Sequence, residues 1–475
     1  MKKKISRRQF AKNLSSLGLS AAALNTLGVS GLLSSSAAMA QSSDYKALVY
    51  ILLDGGNDSF NMVVPQESGS LRTRYEDGRR AVALSANSLH SLNLRSDALI
   101  SSGETYNGFG MHAECGGLAN MFNDGELSIL ANVGNLIEPT DRSNMNDPSH
   151  RLPPQLFSHA DQQRQVLSQP GSFVYGWGGR VAELVANRNT NPSVSPLITT
   201  AGVNTFQTSR DRLIKPYVTG TNGPPSFLNF GNAVRREMVE DFMTGASFDI
   251  FSERNREVYE SGVKAAGVVR DAFNIADNSS INYNQIFSSA NTSVGNQLEA
   301  IAKLINGRQA TAGNNRPIFY VRMAGWDAHR NLLNNHRDRL RELNNALVAF
   351  RNALVAQGDF DNTLTHIGSE FGRTFAPNSS GTDHGWGGHM MVMGGAVNGG
   401  HMFGRYPDLQ LGGDRDSDSR GRGRWIPQTS TQQTAAIISN WMGVPQSNLV
   451  GIFPTLANFE NSFGANANLN FVQGV

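Results

Sequence analysis

Two short, glycine-framed segments carry the side chains best suited to chemistry. Gly325-Trp326-Asp327-Ala328-His329 sets a carboxylate and an imidazole two residues apart. In extended chain both point to one side, which suits two ligands on one metal ion. Gly381-Thr382-Asp383-His384-Gly385-Trp386-Gly387-Gly388-His389 adds a carboxylate and two imidazoles. Carboxylates with imidazoles, and no thiolate in reach, suit zinc, manganese, iron or a similar divalent ion. Four of the ten histidines, His159, His329, His384 and His389, lie in turns flanked by glycine or acidic residues, where a core role is less natural. Any one of them serves as readily in a structural role. As a set, with the acids around them, they favour a metal or polar catalytic centre.

Two further groups could act there. In Ser158-His159-Ala160-Asp161-Gln162 a hydroxyl stands three residues before an acid, the spacing of a helix cap, and a helix is expected from Asp161 through Val166. A hydroxyl at a helix start also sits in a positive field that favours a developing alkoxide and an anionic substrate. Ser158 is therefore both a cap and a candidate nucleophile. Arg373, close after Glu370, could clamp an oxyanion through its planar fork or form an ordinary salt bridge. Weaker signals read as structure: Gly55-Gly56 as a tight turn rather than a phosphate cradle, the Arg420–Arg424 run as a solvated loop, and Cys115 as a small buried hydrophobe.

These residues need a scaffold. Apolar, β-rich runs at 46–53, 127–133, 317–323, 364–368 and 390–393 predict strands. Leu340, Leu343, Leu347, Phe350 and Leu354 fall at spacings of three and four, which predicts a helix over about 335–355. Residues near 252–275 and 295–306 also read as helical. Strands alternating with long helices predict an α/β fold, a mostly parallel sheet sandwiched by helices. In such sheets ligands bind beyond the carboxyl ends of strands. Asp54 and Asp58 follow the first run, Asp327 and His329 the third, and Glu370 the fourth. The segment 412–424, rich in Gly, Asp, Ser and Arg, is expected to be a mobile surface loop.

The N-terminus predicts where the protein works. The first forty residues hold six basic side chains and no acid: Arg7-Arg8 precede Phe10 and Lys12, a modest apolar run follows, and Ala38-Met39-Ala40 reads as a cleavage site. Those are the parts of a signal peptide, and the paired arginines select twin-arginine export, with the twin-arginine translocase as partner and a periplasmic or secreted destination. Without that segment the chain has 35 basic and 39 acidic residues. This mildly acidic surface argues against a nucleic-acid partner. No later stretch is apolar enough to span a membrane. The lone cysteine excludes an intramolecular disulfide.

The chain resembles a family. Ile51-Leu-Leu-Asp-Gly-Gly-Asn-Asp-Ser-Phe-Asn-Met-Val-Val-Pro65, Leu156-Phe-Ser-His-Ala-Asp-Gln-Gln163, Gly325–His329, Ser369-Glu-Phe-Gly-Arg-Thr374 and Thr382–His389 together match the family numbered 1501 among domains of unknown function. That family is similar to the alkaline phosphatase and sulfatase superfamily. The resemblance implies an alkaline-phosphatase-like domain over 41–475, after a signal peptide at 1–40, with a metal site at the strand ends. It also implies roles: Asp54 as the first acid, Asp327 with His329 as an Asp/His pair, Glu370 or Asp383 with His384 as a later motif, and His389 as the last histidine. The pair is more tightly spaced than the superfamily's. The nucleophile position falls to Ser158, with Ser59 behind it.

The expected function is an exported metal-dependent hydrolase of phosphate or sulfate esters, acting on a small anionic ester. Asp54, Asp58, Asp327, His329, Glu370, Asp383, His384 and His389 form the expected set around a divalent metal such as zinc or manganese, and Ser158 and Arg373 are the candidate catalytic groups. The alternative is a non-catalytic exported binding or envelope-assembly protein that keeps the same fold.

Overall fold

The first apolar run folds as β1, Ala47–Asp54, buried along all but its last residue. A strand this uniformly apolar must be covered on both faces. It lies at the centre of a nine-stranded sheet. Besides β1, the strands are β2 (Leu127–Gly134), β3 (Leu197–Thr199), β4 (Tyr217–Val218), β5 (Ile318–Ala324), β6 (Thr363–Ser369), β7 (Gly388–Met393), β8 (Met402–Gly404) and β9 (Thr429–Ser430). Their order is β8-β2-β7-β6-β1-β5-β3-β4, with β9 also paired to β2. Every pairing is parallel except those of β7 with β6 and with β2. β7 alone runs against the rest.

The computed structural model describes residues 44–168, 174–211, 214–224, 250–459 and 468–475, with 233–234, 237–238 and 241. The expected export signal at 1–40 lies outside the described residues. Lys46–Val475 form one compact unit. Among the described residues, no helix is long and apolar enough to cross a membrane.

Helices cover both faces. On one, α4 (Trp177–Leu184), α8 (Thr431–Trp441) and α9 (Gln446–Ile452) close over Leu48, Tyr50 and Leu52 of β1 and share a continuous core with them. On the other, α6 (Ser293–Asn306) packs on β5, α7 (Leu332–Gln357) packs on α6 and on α2 (Gly116–Asp124), and α5 (Ile250–Asp277) packs on α6. The apolar stripe expected on α7 is there: Leu340, Leu343, Leu347, Phe350 and Leu354 are all fully buried. Each such side chain contributes about 1.5–3 kcal/mol relative to exposure. The helix stops at Gly358, whose φ of 74° lets its N–H turn back to the carbonyls of Leu354 and Val355.

Register decides where the site forms. β1 pairs with β5 so that Asp54 lies beside Ala324, and with β6 so that Leu53 lies beside Ser369. The residues just past these ends, Gly55, Asp327 and Glu370, therefore emerge at one rim. Because β7 runs backwards, the segment 370–387 leaves β6 and enters β7 at that same rim, and it brings Arg373, Asp383 and His384 with it.

Candidate metal centre

Three side chains from three separate segments converge at the rim. The ligand atoms of His159, Asp327 and His384 all lie within 4.8 Å of one another, and these residues could hold a metal ion. His159 opens α3, His159–Leu167. One helical turn later on the same face, Gln163 donates from Nε2 to Asp54 Oδ1 and, at 3.2 Å, to Glu370 Oε1. Asp327 follows β5 across the turn at Gly325. Its Oδ1 lies 3.0 Å from His329 Nε2, 3.3 Å from His384 Nε2 and 2.6 Å from Arg373 Nη1. Asp327 and His329 keep 41% and 45% of their side-chain surface open, so the centre is reachable from solvent.

The turn after β1 explains its glycines. A Cβ on Gly55 would stand 2.5 Å from the backbone nitrogen of Asp327, and its φ is 125°. Only glycine allows the two loops to meet so closely. Its N–H donates to Glu370 Oε1 at 2.9 Å and its carbonyl accepts from Arg373 Nη1 at 3.2 Å. The expected tight turn is present, and its N–H binds a carboxylate of the protein.

Hydrogen bonds fix how the imidazoles face. His384 Nδ1 lies 2.7 Å from the carbonyl of Phe157, so it must donate there, and its Nε2 lone pair turns toward Asp327. His159 Nδ1 lies 2.8 Å from Glu370 Oε1, which sends its Nε2 toward Asp327 Oδ2 at 3.5 Å. His329 Nδ1 faces Asp383 Oδ1 at 3.3 Å, leaving Nε2 only 3.1 Å from Nε2 of His384. Neutral rings set this way meet lone pair to lone pair, an arrangement that a cation or a shared proton relieves. Ligands 2.0–2.1 Å from a tetrahedral zinc lie about 3.3 Å apart. The spacings and the donor chemistry therefore fit a divalent ion.

Electrostatics point the same way. The Glu370 carboxylate on Nδ1 raises the pKa of His159, and the same polarisation strengthens an imidazole as a ligand. Burial, the largest influence on His384, lowers its pKa and keeps that ring neutral. At Asp327 burial works upward, but the hydrogen bond and charge of Arg373 outweigh it and hold the carboxyl below the usual range.

Several residues expected at the centre lie in other roles. Asp58 is sealed against Arg79, Oδ2 to Nη2 at 2.5 Å with both side chains essentially buried, because the turn after β1 carries it inward beneath the rim. His389 is also away from the cluster. Pairing between β7 and β2 shifts register between Gly388 and Met390, and Asn132 opposite has a φ of 48°. This irregularity turns the ring into the core, where it packs on Phe60 and Tyr406 and accepts the Asn132 N–H at 3.1 Å. Ser59 Oγ accepts the His389 N–H and is buried. Ser158 occupies the N-cap position, and its hydroxyl donates to Asp161 Oδ2 at 2.6 Å. Arg373, expected to reach an oxyanion, is wholly enclosed and holds Asp327, Gly55 and Thr382. Asp54 borders the centre, paired to Arg322 and Gln163. Glu370 braces His159, and Asp383 braces His329.

Other residues at the site were not expected. Gln163 lies one turn from His159, a spacing visible in the sequence once His159 is taken as a ligand. The segment 412–424 is anchored: the buried Asp416 accepts backbone N–H groups from Gly412, Gly423, Asp418 and Arg424 at 2.9–3.0 Å. So held, Arg422 Nη1 reaches Asp383 Oδ2 at 2.7 Å and Arg424 Nε reaches the His384 carbonyl at 2.9 Å. What reads as a solvated loop is a brace for the centre.

Solved structures similar to this chain include the C-terminal periplasmic domain of EcEptC from Escherichia coli in complex with Zn, at 8% identity, covering 89% of this chain and 91% of that chain with a TM-score of 0.36. The lipoteichoic acid synthase LtaP from Listeria monocytogenes matches at 9% identity, over 78% of this chain and 71% of that one, with a TM-score of 0.31. The PsFucS1 sulfatase from Pseudoalteromonas sp. matches at 9% identity, over 79% and 67%, with a TM-score of 0.29. No curated protein matches the chain in sequence. The model of the family described as "Protein of unknown function (DUF1501)" matches residues 45–417, and the chain belongs to that family.

Proposed function

We propose that the protein is an exported hydrolase of phosphate or sulfate esters that depends on a divalent metal ion held by His159, Asp327 and His384. The observation that supports this reading is the convergence of the three residues with their lone pairs turned inward. His329 stands beside them as a further ligand, 3.0 Å from Asp327. A divalent ion held there would polarise an ester oxygen and lower the pKa of a water. The chain's own residues do the positioning. Glu370 and the Phe157 carbonyl set the tautomers of His159 and His384, Arg373 fixes the Asp327 carboxylate, and Asp383, braced by Arg422, orients His329. The Ser158 hydroxyl is engaged by Asp161, and in this reading water is the attacking group. Export follows the twin-arginine route read from Arg7 and Arg8.

Metal analysis of the purified protein, with thermal unfolding in chelator, tests the first step. At least one bound zinc or manganese ion is expected, with loss of stability on its removal and loss of binding in Asp327→Ala. A metal-free protein whose unfolding ignores added divalent ions contradicts the reading. Aryl phosphate and aryl sulfate esters, assayed with each metal, then separate an enzyme from a binding protein of the same fold. That non-catalytic reading is supported by Ser158, the candidate nucleophile, whose hydroxyl is engaged by Asp161.

A further inference from the structure

One cavity shares a wall with the metal centre. It has a volume of about 540 Å³ and is lined by Thr200 after β3, by Arg322, Met323 and Ala324 at the end of β5, and by Arg339 and Glu342 on α7. Arg322 belongs to both places: it lines the cavity, and its guanidinium pairs with Asp54 Oδ2 at the edge of the centre. β5 is buried along its length except at two positions near this end, Arg322 and Ala324, so the strand opens where the cavity lies.

Arg339 approaches from the other side. A Cβ on Gly325 would lie 3.4 Å from its Cδ and 3.7 Å from its Nη1, so its guanidinium lies against the turn that presents Asp327. The two arginines thus flank the segment from Arg322 to Asp327. Each is aimed by one carboxylate, Arg322 by Asp54 and Arg339 by Glu342 at 2.5 Å. Each keeps donors to spare, because a guanidinium has five N–H groups and one carboxylate takes at most two. Arg322 is also half open, with 52% of its side-chain surface exposed. Two oriented guanidinium forks with donors to spare suit an acceptor-rich, planar or tetrahedral anion.

We infer that this cavity receives a second anionic group of the substrate, a carboxylate or a further phosphate, while the ester lies at His159, Asp327 and His384. The inference rests on the ester-hydrolase reading for the reacting end only. The cavity selects esters whose other end carries negative charge over esters of neutral alcohols, and Arg339 is a specificity-determining residue.

Calorimetric binding of two unreactive probes to the metal-loaded protein, 2-carboxyethylphosphonate and ethylphosphonate, tests it. The carboxylate-bearing probe is expected to bind about tenfold or more tightly than ethylphosphonate, as one charge-assisted contact predicts. Arg339→Gln is expected to abolish that difference, and Arg337→Gln, exposed on the same helix and paired with Asp338, to retain it. Equal affinities in the unaltered protein, or a difference that survives Arg339→Gln, overturns the inference. Hydrolysis of aryl esters is measured separately. Its absence removes the enzymatic reading without touching the binding difference, so the two failures are distinct.

Discussion

Glu370 organises the centre without needing to touch a metal. Its Oε1 faces His159 Nδ1, the Gly55 N–H and Gln163 Nε2, while Oε2 accepts from Ser369 Oγ. Groups that orient a ligand in this way typically cost 10–100-fold in metal affinity when altered. Glu370→Gln is therefore expected to weaken zinc binding by roughly that factor while leaving the fold intact, as read by competition against a chromogenic chelator. Unchanged affinity would show that His159 needs no carboxylate behind it. Individual residues were unevenly readable from the sequence. Asp327 and His384 stand out because carboxylate and imidazole sit in glycine-rich turns beyond strands. His159 was visible as a histidine in such a turn but was overshadowed by the capping pattern around Ser158. Asp58 and His389 carry the same signals as the residues that converge at the rim. Their inward course depends on Arg79 and on the β7–β2 irregularity, which lie far from them in sequence or leave no local trace.

At the scale of elements, the braces matter as much as the strands. Asp416 ties four backbone N–H groups together and thereby places Arg422 and Arg424 against Asp383 and His384. Asp416→Ala would leave those donors unpaired, two of them, on Asp418 and Gly423, in buried bonds. Destabilisation of about 3 kcal/mol or more is expected, with faster hydrogen exchange over 412–424 and weaker metal binding. Protected amides in that variant would mean that other contacts hold the loop. The five β-rich runs became β1, β2, β5, β6 and β7, since a strand covered on both faces is built mostly from apolar and β-branched residues. β3, β4, β8 and β9, of two or three residues each, are too short to show any period. α8 is buried on nearly every side, so it has no polar face to alternate with. Arg422 and Arg424 look solvated because the groups that tie them to the centre, Asp383 and the His384 carbonyl, come from a different loop.

For the whole molecule, buried histidines set the response to acid. Burial is the main cause in each case: it lowers His112 and His366 to about 4 and His389 to about 3, and takes His336 well below the ordinary value of 6.5. These groups are neutral when folded and protonate in the unfolded chain as pH falls below about 6.5. Their contribution to stability is therefore complete above that pH and declines as pH drops toward the folded values. Each contributes about 1.4 kcal/mol per pH unit through this window. His159, raised by Glu370, is protonated in both states below about 6.5 and so leaves this window unaffected; its contribution is full there and is lost as pH rises through its folded pKa. Denaturation in chelator is expected to show stability falling by on the order of 4 kcal/mol between pH 6 and 5, and His366→Phe should reduce the proton uptake on unfolding by one. A flat profile there would mean that these rings are solvated.

The single backward strand has a consequence for how the molecule could be taken apart. The excursion between β6 and β7 departs and returns on one side, and its outermost residues, Asn378, Ser379 and Ser380, are exposed. A cut at that tip separates Glu370 and Arg373 from Asp383 and His384 in sequence only. Each fragment stays hydrogen-bonded to its neighbour through adjoining strands, so a nicked chain would keep its two halves of the rim in place.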